Sequence, residues 1–174
     1  MLLLVNGYYI YVITILKGLF MTDLVESIKT AKVEGGSRVV LVPLVLGGAA
    51  PFFENTLYAL SEKLVDGYSG GYWDIHDLTQ SGRAVGFFFV PTGFGESVVV
   101  RSLGFQQDVV TTARAAGVAL TLMALSNLSL FLASKGQMGL AQKCGDAFHE
   151  LRDFISFGLE FTDAERSEIN LIID

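Results

Sequence analysis

Three polar residues before the middle of the chain, Ser69, Asp74 and His76, are of types found in catalytic and metal-binding sites. Asp74 and His76 lie two residues apart in a predicted strand, so both side chains share one face. They can form a polar cluster or half of a metal site, but no third ligand is identifiable and no metal site is predicted. Ser69 could be drawn as a nucleophile, yet no nucleophile-elbow pattern surrounds it. A small intracellular enzyme or ligand-binding domain that uses the Asp74/His76 face stays an alternative.

A second polar group lies towards the end of the chain. His149 and Asp153 are four residues apart in a predicted helix, with Arg152 beside them. Such a group is usually a solvated helix face with a local ion pair that contributes roughly a few tenths of a kcal/mol. A structural clamp or a contact with a partner is the other interpretation. Cys144 falls on the apolar stripe of this helix. Because it is the only cysteine of the chain, no internal disulfide can form, which is consistent with a reducing cytosol.

A glycine pair follows an aromatic residue just before the predicted strand. Gly70 and Gly71 most simply permit a tight turn with positive φ. The turn could also present Tyr68, Tyr72 and Trp73 to a partner, because aromatic anchors dominate the binding energy of many interfaces. A tryptophan beside a strand is more often part of the core. The stretch lacks the lysine of a phosphate-binding loop, so no phosphate site is predicted there.

The overall charge limits the partners that the protein can bind. Eighteen acidic and twelve basic residues leave a net charge of −6, which argues against unspecific nucleic-acid binding because phosphate contacts need clustered lysine and arginine. The acidic residues are also too dispersed for a DNA mimic, which needs rows of carboxylates at the density of phosphates. At 174 residues, 51% of them hydrophobic, the chain can bury a substantial single core.

The longest apolar segment, residues 113–134, predicts a central helix. No charge follows Arg114 within it, and apolar residues cover most of the helical wheel. A helix that is apolar all round is either the buried centre of a domain or a membrane span. Each of the other predicted helices has one polar face, as helices at the surface of a soluble domain do, and this favours the interpretation of residues 113–134 as a buried central helix. We expect this helix to begin near Asp108 and to end at Gly136.

The beginning of the chain is also apolar but does not fit a signal peptide. Residues 1–20 have no basic start and no small-residue cleavage site, and they are interrupted by Asn6, Gly7 and Lys17. We interpret them as an upstream extension of the reading frame, with the working domain at residues 21–174. An anchoring segment is the alternative.

Between these segments the patterns predict alternating helices and strands. A short helix is expected at residues 22–32, and residues 38–46 are β-branched and strand-like, although Pro43 restricts them to an edge strand or an irregular arm. Pro51 opens a helix with one apolar stripe that ends near Gly67. The stripe comprises Phe53, Leu57, Leu60 and Leu64.

Three short strands and two final helices complete the pattern. The strands are expected at residues 71–78, 84–90 and 97–101, with the second one central because it is apolar on both faces. A helix over residues 138–157 and a last helix behind a capping box at Thr162 and Glu165 follow. The predicted fold class is α+β: a small antiparallel meander of about three strands, with a possible edge strand, packed with about four helices around a buried central helix.

Three motifs, in this order, resemble the ArdB/KlcA antirestriction family of plasmids, phages and mobile islands. Residues 68–74 (YSGGYWD) are similar to its Tyr-Asn-Gly-Gly-aromatic-Trp-acid signature, and residues 115–126 to its central helix. Residues 148–154 (FHELRDF) are similar to its aromatic-His-x-Leu-Arg-Asp-aromatic run, before a chain end in Ile-Asp. The resemblance covers about residues 39–174.

The resemblance implies a protein of a mobile element that relieves type I restriction of incoming DNA in the cytoplasm of its bacterial host. It implies action by protein contact and not by DNA mimicry, without catalysis, cofactor or metal. The partner would be the type I restriction complex or an accessory factor. The residues that we expect to form the contact are Tyr68, Gly70, Gly71, Tyr72, Trp73, Asp74, His149, Arg152 and Asp153.

Overall fold

A computed structural model describes residues 28–95, 97–158 and 160–174, and the extension predicted at residues 1–20 lies outside them. Helices and short antiparallel strands alternate along this part of the chain, which confirms the predicted α+β class. The elements are β1 (Lys29–Lys32), α1 (Arg38–Leu46), α2 (Ala50–Leu64), β2 (Trp73–Gln80), β3 (Arg83–Pro91), β4 (Val98–Arg101), β5 (Asp108–Thr111), α3 (Ala113–Ser134), α4 (Met138–Phe157) and α5 (Asp163–Ile173).

Helix α3 is the centre of the domain, as its composition predicts. It is buried along most of its length and packs against α2, α4, α5 and β3. The side chain of Thr112 caps its first turn by accepting a hydrogen bond from the backbone N–H of Ala115 at 3.1 Å. Beyond its last residue, Gly136 adopts a φ of 73°, which is the left-handed conformation of a helix end.

The strands form two antiparallel sheets. The larger sheet has the order β1-β2-β3, and the smaller one pairs β4 with β5. On one face of the larger sheet, Phe53 of α2 packs edge-on against Phe87 with ring centroids 5.1 Å apart. On the other face, Phe154 of α4 stacks on Phe88 at 6.2 Å. Helices therefore cover both faces of β3.

The outer edge of β3 faces the central helix. Phe89 donates its backbone N–H to the Thr121 hydroxyl at 3.1 Å, and this hydroxyl donates to the Gly117 carbonyl one turn earlier at 2.8 Å. The helix reaches the strand because Gly117 has no side chain: a Cβ there would lie 2.0 Å from the Phe89 carbonyl oxygen. The helix thus satisfies the Phe89 N–H at an edge where another strand would otherwise pair.

Residues 38–46 form helix α1, and the prediction of an edge strand or arm there is wrong. Their β-branched composition favours a strand, but packing on the sheet and on α4 selects a helix that buries Leu41, Val42 and Leu46. Pro43 is tolerated although it has no N–H for the carbonyl of Val39.

Three further predictions about strands are wrong. Residues 29–32 of the helix predicted at 22–32 form β1, which is held by pairing with β2, and residues 22–27 lie outside the described part of the chain. Residues 108–111 form β5, so the central helix begins at Ala113 and not near Asp108. Strand β3 is not central: it lies at the sheet edge and β4 belongs to the other sheet. Local patterns do not encode the pairing of β1 with the distant strand β2.

Several other predictions are confirmed. Helix α2 carries Pro51 in its first turn and buries Phe53, Leu57 and Leu64. In β2, Trp73 and Ile75 are buried, while Asp74 and His76 on the opposite face are half-buried. The capping box is complete, since Thr162 and Glu165 bond reciprocally at the start of α5.

Two helical stretches among the described residues are long and apolar enough to cross a membrane. They are Gly35–Leu64 and Ala113–Ser134. The second is mostly buried within the domain, as a core helix is, so length and composition alone are weak grounds for a span.

Candidate functional site

The glycine turn, which we define as residues 67–72, leads from α2 into β2. Gly70 and Gly71 have φ values of 94° and 149°, a region that side-chain-bearing residues rarely adopt. No atom lies within 4 Å of a Cβ built on Gly70. The backbone conformation, rather than space, therefore requires glycine at this position.

Trp73 supports the turn from inside the protein. It is 2% exposed, and its indole Nε1–H donates a hydrogen bond to the Tyr68 hydroxyl at 2.9 Å. The Tyr68 ring packs edge-on against it at 5.8 Å, and Tyr58 of α2 lies 6.3 Å away on another side. Trp73 is thus a core residue with a satisfied N–H, and it holds Tyr68 in place.

Tyr72 is the aromatic residue that the turn leaves in solvent. The residue is 59% exposed. Its carbonyl accepts two hydrogen bonds from Thr92, one from the backbone N–H at 3.0 Å and one from the hydroxyl at 2.6 Å. An exposed tyrosine on a backbone tied down in this way resembles the rigid anchors found at protein interfaces.

Arg38, the first residue of α1, completes this site. Its Nη2 donates to the Trp73 carbonyl at 2.5 Å, and its guanidinium carbon lies 4.3 Å from the centroid of the Tyr72 ring. Its Nη1 is buried, makes no hydrogen bond and lies 3.9 Å from Asp74 Oδ1. Arg38 could not be assigned to the site from the sequence, because it precedes Tyr72 by 34 residues and lies in a segment predicted as a strand.

Asp74 forms ion pairs with two basic side chains. Lys32 of β1 approaches its Oδ2 at 3.0 Å, while Arg38 of α1 lies near its other oxygen. The hydrogen bond with Asp74, opposed by partial burial, raises the pKa of Lys32 above its ordinary value. A carboxylate placed between two cations ties β1 and α1 to β2.

His76 belongs to an aromatic cluster and not to a pair with Asp74. It stacks on Phe88 with ring centroids 4.8 Å apart and an interplanar angle of 11°. Burial, followed by the nearby charge of Arg114, lowers its pKa below the ordinary value. Within residues 28–95, 97–158 and 160–174, no group of three or more His, Cys, Asp or Glu residues could hold a metal ion.

The residues predicted on α4 lie apart from the turn. His149, Arg152 and Asp153 are exposed, and the first two contact Phe148 through their ring and guanidinium group. In the described part of the chain, no ion pair joins His149 to Asp153, and no hydrogen bond, ion pair or ring contact links these three residues to the glycine turn. Their role in binding stays a prediction.

Two open cavities flank the site. One, of about 530 Å³, lies beside α1 and is lined mostly by apolar groups. Its lining residues are Val33, Gly36, Ser37, Val40, Leu41, Leu44 and Asp77. The other, of about 380 Å³, is polar and includes Tyr68, Arg101 and Asp108. Neither of these two cavities contains Asp74 or His76, so neither supports the alternative of a reaction on that face.

Comparison with known proteins supports the family that the motifs resemble. The family model described as "Antirestriction protein" matches residues 66–174, which include the glycine turn, β2–β5 and α3–α5. YubI of Escherichia coli (strain K12), whose name assigns it provisionally to the antirestriction proteins, is 28% identical over 113 residues, or 65% of this chain and 76% of YubI.

A solved structure is similar over most of the fold. It superposes with a TM-score of 0.66 and 26% identity, covering 84% of this chain and 95% of the other. It comes from work on the KlcA and ArdB proteins that describes a novel fold and antirestriction activity against type I DNA restriction systems in vivo but not in vitro. Since the family model matches more than half of the sequence, the chain belongs to the antirestriction protein family.

Proposed function

We propose that this protein relieves type I restriction of DNA in a bacterial cytoplasm by binding a protein through the surface around Tyr72. The observation that carries this proposal is an exposed tyrosine whose backbone is hydrogen-bonded to Thr92, within the motif that resembles the ArdB/KlcA signature. Tyrosine binds with a large rigid ring and loses little conformational entropy, which suits it to an interface.

Contact with a protein fits the charges better than imitation of DNA. A duplex mimic needs unpaired carboxylates in rows, whereas several acids here are paired with cations. These acids are Asp74, Asp108, Glu160 and Asp163. Activity in vivo but not in vitro, which was described for the KlcA and ArdB proteins, supports a partner that purified restriction assays lack. We therefore favour an accessory factor, or a state of the restriction complex found only in cells.

The test measures how efficiently unmodified phage forms plaques on cells with a type I system that express the full chain. We expect restored plating with the wild-type chain and loss of this relief with Tyr72→Ala. Phe131→Ala is the matched control, because Phe131 is also an exposed aromatic residue, at 52%, beside a cation, Lys135, but lies at the end of α3. Full relief by Tyr72→Ala would refute the proposed contact surface.

Crosslinking from positions 72 and 131 can identify the partner. A photo-crosslinking amino acid at position 72, but not at position 131, is expected to capture one protein in restricting cells. Capture of a restriction subunit would indicate direct inhibition, and capture of another host protein would indicate an accessory route. Equal yields from both positions would contradict a contact centred on Tyr72.

A further inference from the structure

The guanidinium group of Arg38 touches three consecutive residues where the glycine turn becomes a strand. It lies against the ring of Tyr72, donates to the carbonyl of Trp73 and approaches the carboxylate of Asp74. The Arg38 side chain is only 18% exposed. A largely covered cation at this junction fits a positioning role better than a solubilising one.

The shape of arginine explains how one side chain makes all three contacts. A guanidinium group is flat: its face can stack on an aromatic ring while the N–H groups at its edge donate hydrogen bonds. Lysine carries a compact ammonium group on a flexible stem and cannot combine these contacts. Arg38 therefore holds the exposed ring of Tyr72 and the backbone of Trp73 in one fixed relation.

Fixing the Tyr72 ring matters because an exposed side chain must be ordered when it binds. Immobilising a mobile side chain at an interface opposes association, and a side chain that is already held avoids this loss. One face of the Tyr72 ring lies on Arg38, yet the residue remains 59% exposed and accessible to a partner.

We propose that Arg38 is the positioning residue of the contact surface, holding Tyr72 in its binding conformation and linking it to helix α1. This inference rests on the proposed function, since it assumes that Tyr72 meets a partner. Arg38 acts through Tyr72 and not by touching the partner, because its Nη1 is buried and its side chain is mostly covered.

The test compares Arg38→Met, Arg38→Lys, Tyr72→Ala and the double variant Arg38→Met/Tyr72→Ala in the plating assay at graded expression of the full chain. We expect the expression level that gives half-maximal relief to rise about threefold to tenfold for both Arg38 variants. A change of this size in affinity corresponds to the cost of ordering one side chain on binding. In the Tyr72→Ala background, Arg38→Met should cause no further loss. Arg83→Met is the control, since Arg83 is exposed at the opposite end of the β2–β3 pair.

The only tryptophan of the chain reports on the same site in the purified protein. Trp73 is buried beside the turn, so acrylamide should quench its fluorescence more strongly in Arg38→Met and Arg38→Lys than in wild type or Arg83→Met. The circular dichroism of all four proteins should remain that of a folded domain. Unchanged quenching in both Arg38 variants would overturn the positioning role without reference to restriction.

The outcomes separate the two proposals. Full relief by Tyr72→Ala refutes the proposed contact surface, whatever the Arg38 variants do. Loss by Tyr72→Ala with full relief by Arg38→Met refutes only the positioning role. The positioning role is also refuted if the double variant loses relief by the product of the two single losses, because an effect of Arg38 that acts through Tyr72 should disappear when Tyr72 is absent. Equal relief by Arg38→Lys and wild type would overturn the requirement for a planar guanidinium group.

Discussion

Replacing Gly117 with alanine tests the packing of the central helix on the strand edge. A Cβ at this position would lie 2.0 Å from the Phe89 carbonyl oxygen and 2.9 Å from the Cα of Val90. Real Cβ atoms essentially never come within 3.0 Å of another heavy atom, so α3 must retreat from β3 by at least 1.0 Å. Both obstructing atoms are backbone, and no side chain can rotate to make room.

The retreat also breaks the hydrogen bond that closes this edge. The distance from Phe89 N to Thr121 Oγ1 would grow from 3.1 Å to about 4 Å, beyond the hydrogen-bond range. A buried N–H without a partner costs about 1–3 kcal/mol, and overpacking a core costs about 1–3 kcal/mol more. The better helix propensity of alanine offsets about 1 kcal/mol. We therefore expect Gly117→Ala to lower the free energy of unfolding by about 3 kcal/mol.

Thermal unfolding followed by circular dichroism measures this effect. At about 2–4 °C per kcal/mol for a protein of this size, the Tm should fall by about 6–12 °C. The control is Gly145→Ala in α4, where the nearest atom to a new Cβ, Ser129 Oγ, is 3.8 Å away. The same substitution should stabilise the protein there by up to about 1 kcal/mol. Thr121→Val removes the hydroxyl that accepts from Phe89 and donates to Gly117 but adds no bulk between α3 and β3, so its Tm should fall between those of the two alanine variants. An unchanged or higher Tm for Gly117→Ala would refute the close approach of α3 to β3.

Two further predictions concern pH and helix capping. Thr162→Ala should cost about 1 kcal/mol in chemical denaturation at neutral pH, because it removes the cap of α5. Partial burial alone would raise the pKa of Glu165, but hydrogen bonds from Thr162 and Thr112 outweigh it and lower this pKa. The stabilisation from Glu165 is thus present above about pH 4.5 and is lost as the pH falls through the lower pKa of the folded state. Thr162→Ala should therefore weaken the loss of stability at acidic pH. An unchanged loss of stability in this variant would contradict the link between Thr162 and Glu165. For His76, burial lowers the pKa in the folded state, so the unfolded chain binds more protons and stability rises with pH up to about 6.5. His76→Gln should remove this slope from urea titrations at pH 5–7, and a slope that persists would assign it to another group.

Much of the helical architecture could be predicted from the sequence because the relevant interactions are local. The uncharged run at residues 113–134 is buried on nearly every side as helix α3, as its lack of a polar face indicates. The capping box of Thr162 and Glu165 involves residues three apart, and it forms as predicted. The stripe beginning at Phe53 likewise packs as one face of α2.

The errors occur where pairing between distant segments decides the structure. Residues 38–46 have the composition of a strand, yet their neighbours bury them as a helix, and Lys29–Lys32 becomes a strand only because β2 lies beside it. The apolar strand β3 was expected between two other strands. Instead, Gly117 and Thr121 allow a helix to close its edge, an arrangement that a strand pattern does not encode.

The candidate site divides in the same way. The sequence alone determined the family motif, the glycine turn and the alternation that places Trp73 and Tyr72 on opposite faces of the strand, because all of these depend on residues that are adjacent in the chain. Only the tertiary structure decided that Tyr72, and not Trp73, is left exposed, and that Arg38 lies beneath it. The physical reason is that solvent exposure and contacts between distant residues are set by how elements pack, and local spacing does not specify that packing.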